Sequence, residues 1–391
     1  METTTAVNLQ DAVYNTYQEL FGRTPLLVRS PGRVNLIGEH TDYNNGLVLP
    51  AAIDKNIVLA IGQRDDQTIH LHSMDQQQSY TTPLDTLERS PLLWPDYILG
   101  VVQQLIARGH QFGGFNIVFG GDIPQGAGLS SSAALECATG FALSELFNLG
   151  IARLDLALTA QAAENEFVGV KCGLMDQFAS VFGQEQRLIK LDCADFSHEY
   201  IPFNNPGLRI VLFDTQVKHS LASSAYNERR EQCEYGASLI QKHHPEVSSL
   251  RDATDEQLTQ YVKPVDEVVY NRCSYVVSEI ARLQAGCEDL KKDDFESFGK
   301  RMFATHDGLQ HLYEVSCDEL DILVDLVRDD PAVLGARMMG GGFGGCTINL
   351  VKADEVDRVV TEVTQAYTEK TNRKTQAYIA NISAGTARID R

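Results

Sequence analysis

The chain has 391 residues, 43% hydrophobic and 22% charged, the composition of a globular protein able to bury a full core. Its net charge of -20 sets up a field that repels a phosphate backbone, which argues against general nucleic-acid binding. No apolar run approaches the roughly 18 residues that span a bilayer, so no membrane segment is expected.

The first residues, Met-Glu-Thr-Thr-Thr-Ala-Val-Asn, are polar and acidic. They lack the basic start and apolar stretch of a secretory signal. Eight cysteines are present, none in a C-x-x-C pair or at zinc-ligand spacing. They read as reduced, mostly buried thiols of a cytoplasmic protein, Cys346 in its Gly-rich loop included.

Apolar spacing predicts a helix over 11–21 and a strand over 26–29. Residues 32–43 follow, reading G-R-V-N-L-I-G-E-H-T-D-Y. This short segment carries a guanidinium (Arg33), an amide (Asn35), two carboxylates (Glu39, Asp42) and an imidazole (His40). So many donors and acceptors suit a polyhydroxylated ligand, because each hydroxyl needs a placed partner. No second ligand stands at metal spacing beside His40, so it reads as a hydrogen-bonding group.

A strand over 57–63 and a helix over 97–107 come next, with the single tryptophan, Trp94, just ahead of that helix. A strand over 115–119 then leads into G-D-I-P-Q-G-A-G-L-S-S-S-A-A-L-E at 121–136. Gly126 and Gly128 let backbone amides face a ligand, and Ser130, Ser131 and Ser132 open a helix over 131–147. Amides, hydroxyls and the positive helix end converge where a triphosphate fits. Ala127 and Gly128 stand where a Walker A loop requires Lys and Ser or Thr, so this is not that loop.

A helix is expected over 154–167, carrying Glu164 in Q-A-A-E-N. Asp176 follows in G-L-M-D-Q at a helix start. Pro202 and Pro206 interrupt the periodicity between about 192 and 207, the best lobe boundary. Residues 223–327 turn strongly helical. R-M-M-G-G-G-F-G-G-C at 337–346 contains G-x-G-x-x-G, but a strand over 346–351 follows where a dinucleotide fingerprint needs a helix. A helix over 356–367 and a strand over 375–379 close the chain.

Residues 32–43 resemble, nearly letter for letter, the signature of galactokinases in the GHMP kinase superfamily. The loops at 121–136 and 337–346 are similar to that superfamily's phosphate-binding and C-terminal Gly-rich motifs. The resemblance covers nearly the whole chain. It implies a two-lobed α+β GHMP kinase fold, with lobes 1–200 and 201–391 and the active site in the cleft between them. It implies ATP-dependent phosphorylation of the anomeric hydroxyl of α-D-galactose, with ATP and Mg2+ as cofactors.

By the same resemblance Asp176 and Arg33 are the catalytic pair, Asp176 acting either as the base that accepts the proton or as an electrostatic and orienting group, and Arg33 holding Asp176 ionised and stabilising developing negative charge. Glu39, His40, Asp42, Gly173 and Tyr226, the last in S-A-Y-N-E-R-R, are the sugar contacts. Gly126, Ala127, Gly128, Leu129, Ser130, Ser131, Ser132 and Ala133 hold the nucleotide phosphates, Trp94 lies beside the adenine, and Ser132 and Glu164 hold Mg2+. Met339 stands where many members carry Thr, which removes a hydroxyl from the Gly-rich loop. N-acetylgalactosamine and L-arabinose are the rival sugars. A non-catalytic sensor is the rival class, but such sensors lack a Ser-Ala dipeptide in the phosphate loop, and Ser132-Ala133 is intact here. The implied partners are small molecules only, and monomer is the family's common state.

Overall fold

The structure is a computed structural model that describes residues 8–124, 126–217 and 222–390. Residues 1–7 of the polar N-terminal stretch read above lie outside the described residues, as does Gln125 of the phosphate loop.

Three sheets organise the chain. The largest has six strands, ordered Ala387–Ile389, Leu26–Asn35, Pro50–Gln63, Phe115–Gly121, Thr68–Ser73 and Gln78–Pro83. All neighbours are antiparallel except Thr68–Ser73 against Phe115–Gly121. The chain's last strand therefore returns to pair with its first. Thr68–Ser73 alternates buried and half-buried residues, as expected where only one face meets a core. One face of this sheet packs Val13 and Tyr17 of helix Leu9–Phe21 against Val58, Ala60 and Val118. The other face carries the main core, into which Leu135, Ala138 and Ala142 of helix Ser131–Phe147 pack.

A second sheet orders Val333–Met338, Cys346–Lys352, Leu208–Asp214 and Gln376–Ala380, all antiparallel. Val359, Val363 and Tyr367 of helix Val356–Thr371 cover it. A third, small sheet joins Leu47–Val48, Arg187–Asp192 and His198–Pro202. Helices Ala222–Gln241, Glu267–Lys291 and Phe295–Gly308 form the helical block. Asp266 and Asp294 cap two of them by accepting from backbone N–H groups of the first turn. No helix among the described residues is long and apolar enough to cross a membrane.

Two departures from the sequence reading matter for the site. The helix expected over 154–167 is α-helical only over Arg153–Ala162 and then widens into a π-helix, Ala163–Val168, which carries Glu164. The helical block is likewise interrupted, and helix Phe295–Gly308 ends in a π-turn, Leu309–Tyr313. Isolated π-turns inside helices frequently mark functional positions.

Candidate active site

The strand Leu26–Asn35 delivers the opening signature. Its register against Pro50–Gln63 shifts between Pro31 and Arg33, an irregularity of the kind that re-aims a side chain. Gly32 sits so close to the phosphate loop that a Cβ there would lie 2.6 Å from the Leu129 carbonyl oxygen. Arg33 N donates to that same carbonyl at 3.1 Å.

The Arg33 guanidinium grips Asp176 with two bonds, Nε to Oδ1 at 2.8 Å and Nη2 to Oδ2 at 3.1 Å. Its Nη1 donates to the Gly128 carbonyl at 2.5 Å. The side chain is 5% exposed, and Asp176 sits on the first turn of helix Met175–Phe182. Burial opposes the Arg33 charge, but Asp176 and Glu39 outweigh it and raise its pKa. Ser130 Oγ donates to Asp176 Oδ2 at 2.5 Å. Ser130 precedes helix Ser131–Phe147 but does not cap it with its side chain. The first amides of the helix are left without that cap.

Arg33 and Asp176 line a cavity of ≈ 180 Å³ together with Glu39, His40, Asp42, Gly173, Tyr226 and Glu164. The structure thus gathers every sugar contact expected from the sequence around one space, beside the expected catalytic pair. Gly173 is required by crowding, since a Cβ there would sit 1.9 Å from Asp42 Oδ2. Burial and the neighbouring Asp176 charge push the Asp42 carboxyl up to about 7. Burial lowers His40 to about 4, so its imidazole is neutral at physiological pH.

Glu39 depends on a residue that the sequence reading quoted but gave no role. Arg337, wholly buried, donates from Nη1 and Nη2 to Glu39 Oε1 at 3.1 Å each, from Nε to the Leu36 carbonyl at 2.8 Å, and to the Asn35 and Met338 carbonyls. Gly340 N adds a bond to Glu39 Oε1 at 2.8 Å. Burial works against the Glu39 charge, but Arg337, Arg33 and the Gly340 amide outweigh it and lower its pKa. The signal in the sequence was an arginine beside two methionines and a glycine run, a poor setting for a solvated charge. From the helical block, Glu279 accepts from Gly38 N at 2.8 Å, and Tyr275 Oη donates to the Glu39 carbonyl at 3.0 Å.

The phosphate loop adopts the backbone its glycines permit, with φ of +78° at Gly126 and +74° at Gly128, while Ser130 also has positive φ. Ala127 and Leu129 point into the core and Ala133 is buried in the first turn of the helix. The Gly-rich loop lies against it, for a Cβ at Gly340 would stand 3.7 Å from the Gly128 carbonyl oxygen. Met339, buried, takes part through backbone atoms, donating to the Cys346 carbonyl.

Beyond the helix start lies a second cavity of ≈ 220 Å³, lined by Trp94, Tyr97, Phe119, Leu135, Ser131 and Ser132 among others. Trp94 is the first residue of helix Trp94–Ala107, tilted against Phe119 with ring centroids 5.6 Å apart. Its Nε1 donates to Gln78. An aromatic wall and a hydroxyl-lined end suit a flat heterocycle joined to a phosphate chain.

Ser132 Oγ donates to Glu164 Oε1 at 3.2 Å. Gln177 Nε2 bridges Glu164 Oε2 at 2.7 Å and Glu136 Oε2 at 3.2 Å. Burial and the Asp176 charge raise Glu164 to about 7. Among the described residues, no three His, Cys, Asp or Glu side chains form a ready cation site. A serine hydroxyl next to a buried carboxylate lacking counter-charge nevertheless fits a hard divalent cation completed by phosphate oxygens.

The galactokinase galactose-binding signature is matched by residues 15–63, the GHMP kinase N-terminal domain by 96–184 and the GHMP kinase C-terminal domain by 288–369. The galactokinase of Roseiflexus sp. (strain RS-1) is 39% identical over 374 residues, covering 95% of each chain. That of Thermotoga neapolitana is 41% identical, covering 88% of this chain and 94% of the relative. The crystal structure of Lactococcus lactis galactokinase complexed with galactose superposes with a TM-score of 0.94 at 33% identity, covering 98% of this chain and all of that one. Methanococcus jannaschii mevalonate kinase shares the fold at a TM-score of 0.64 and 18% identity.

Proposed function

We propose, for a chain that belongs to the galactokinase family of the GHMP kinase superfamily, a division of labour between its two cavities. The chain is a sugar kinase that transfers phosphate from ATP to the anomeric hydroxyl of galactose, giving galactose 1-phosphate and ADP. In our reading the ≈ 180 Å³ cavity holds the sugar and the Trp94 cavity holds the adenine, with the start of helix Ser131–Phe147 between them for the phosphates.

The observation that carries this assignment is the Arg33–Asp176–Ser130 cluster at the wall of the sugar cavity. An ionised carboxylate accepts about four hydrogen bonds. Asp176 uses three: one at Oδ1 and two at Oδ2. Oδ1 keeps a site for the proton of the sugar hydroxyl, and the three donors fix the carboxylate so that it reorients little when that hydroxyl arrives. Phosphoryl transfer asks mainly for alignment and charge neutralisation. Arg33 contributes both, because its planar fork aims Asp176 while its charge faces the oxygen that becomes negative.

Glu39 and Asp42 accept from sugar hydroxyls, His40 and Tyr226 donate or accept, and Gly173 leaves Asp42 room. The loop from Gly126 to Ser131 presents amides to the phosphates, and Ala133 closes the first turn behind it. Ser132 and Glu164 would hold Mg2+, which when bound neutralises phosphate charge and polarises the transferring group.

The test is ADP release from Mg-ATP with galactose, N-acetylgalactosamine, L-arabinose and glucose side by side. Turnover with galactose and little with the others is expected. Galactose binding without any turnover would instead support a sensor.

A further inference from the structure

His40 lines the sugar cavity but does not hold itself there. Its backbone is left-handed, with φ of 62°, and its Nδ1 is bonded to Tyr43 Oη at 2.7 Å. Tyr43 Oη is bonded in turn to Tyr313 Oη at 2.7 Å, and Tyr313 Oη to Cys233 Sγ at 3.2 Å. Tyr313 is fully buried, does not line the cavity, and lies 270 residues from Tyr43 in sequence.

The position of Tyr313 is built with care. It ends the π-turn Leu309–Tyr313, and the next residue, Glu314, is left-handed at φ of 51°. Arg229 Nε donates to the Tyr313 carbonyl at 2.7 Å, and Arg229 Nη2 to the Glu314 carbonyl at 3.0 Å. The Tyr313 ring packs against His40 at 4.9 Å and Tyr275 at 4.8 Å between centroids. Tyr275 Oη donates to the Glu39 carbonyl, so the same cluster reaches the neighbouring sugar contact.

We propose that Tyr313 is a positioning residue for sugar binding, fixing through Tyr43 the orientation and tautomer of the His40 ring. The proposal rests on the reading of His40 as a sugar contact. A neutral imidazole has one N–H and one bare nitrogen, and the bond at Nδ1 decides which of them Nε2 is. With Nδ1 taken by Tyr43, Nε2 is the nitrogen left for a sugar hydroxyl. Burial keeps His40 uncharged, so this choice persists across physiological pH. Without the Tyr313 hydroxyl, Tyr43 can turn, and both tautomers of His40 become populated.

The experiment is steady-state kinetics of Tyr313→Phe, with His40→Ala and Tyr43→Phe alongside. Tyr313→Phe removes one oxygen and keeps the ring packing. Losing one hydrogen bond's worth of orientation, about 1 kcal/mol, is expected to raise the galactose KM about fivefold. The ATP KM should stay unchanged within about twofold. Imidazole nitrogen NMR of histidine-labelled protein, assigned with His40→Ala, should show one tautomer in the parent and a mixture in Tyr313→Phe. If His40→Ala raises the galactose KM and Tyr313→Phe does not, the proposal is overturned while the sugar-contact reading stands. If His40→Ala leaves galactose binding intact, that reading fails first. Equal increases in both KM values, with one tautomer retained, would make Tyr313 merely structural and overturn the proposal. Should Tyr313→Phe not fold, Tyr43→Phe removes the middle hydroxyl and carries the same test.

Discussion

Asp42 shows how a single residue's environment becomes measurable. It lines the same cavity as Asp176 and packs against Gly173, so burial and like charge push its carboxyl up to about 7. The ordinary value is 3.8, so between those limits the folded, ligand-free protein keeps a proton that the unfolded chain has released. The resulting stabilisation is full below the unfolded value and is lost as pH rises through about 7. Asp42→Asn removes the effect. In urea denaturation without ligand, the variant should gain stability relative to the parent as pH rises from about 5 to about 8. A difference independent of pH would show that Asp42 ionises normally. Filling the cavity with hydroxyl donors should lower the Asp42 pKa, because hydrogen bonds to a carboxylate favour its charge.

At the scale of elements, the site hangs on two loops and a widened helix turn. Gly100 of helix Trp94–Ala107 faces the π-turn that carries Glu164; a Cβ there would meet Phe167 Cβ at 3.0 Å and Ala163 Cβ at 3.1 Å. Gly100→Ala should shift that turn and with it Glu164 away from Ser132. We expect a severalfold higher ATP KM and Mg2+ requirement, a smaller rise in galactose KM, and a stability loss of about 1–3 kcal/mol from overpacking. A rise in galactose KM with ATP KM and Mg2+ requirement unchanged would place the strain elsewhere. Periodicity could not have announced this turn, because a π-turn inserts one residue without disturbing the apolar spacing before it. The expected helix over 154–167 was therefore right in place and incomplete in kind. The strands over 26–29, 57–63 and 115–119 were legible from their apolar runs, although Pro50–Gln63 begins well before residue 57. The three-stranded sheet was missed, since Leu47–Val48 has only two residues and His198–Pro202 is mostly polar.

At the scale of the whole molecule, pairs far apart in sequence make the site. Arg33 and Asp176 are separated by 143 residues, and Arg337 and Glu39 by 298. Motif resemblance pairs the first two residues; no local pattern in the sequence reveals the second pair, because an arginine's role depends on what buries it. Arg337 ties the four-stranded sheet to the opening signature through Glu39 and the carbonyls of Asn35 and Leu36. Arg337→Met leaves a buried carboxylate without its partner and should cost about 3–5 kcal/mol in denaturation. Adding Glu39→Gln should recover part of that loss by removing the stranded charge; simple additivity would show that the two do not act as a pair.

We propose that Asp176, aimed by Arg33 and Ser130, directs phosphate from ATP onto the anomeric oxygen of galactose. Phosphorus NMR of ATP and galactose turning over with the parent and with Asp176→Asn tests it directly. The parent should give a phosphate monoester coupled to the anomeric proton. Asp176→Asn should turn over more slowly by about 10²–10⁴ with ATP binding retained. Phosphate on any other carbon, or parent-like turnover by Asp176→Asn, would contradict it.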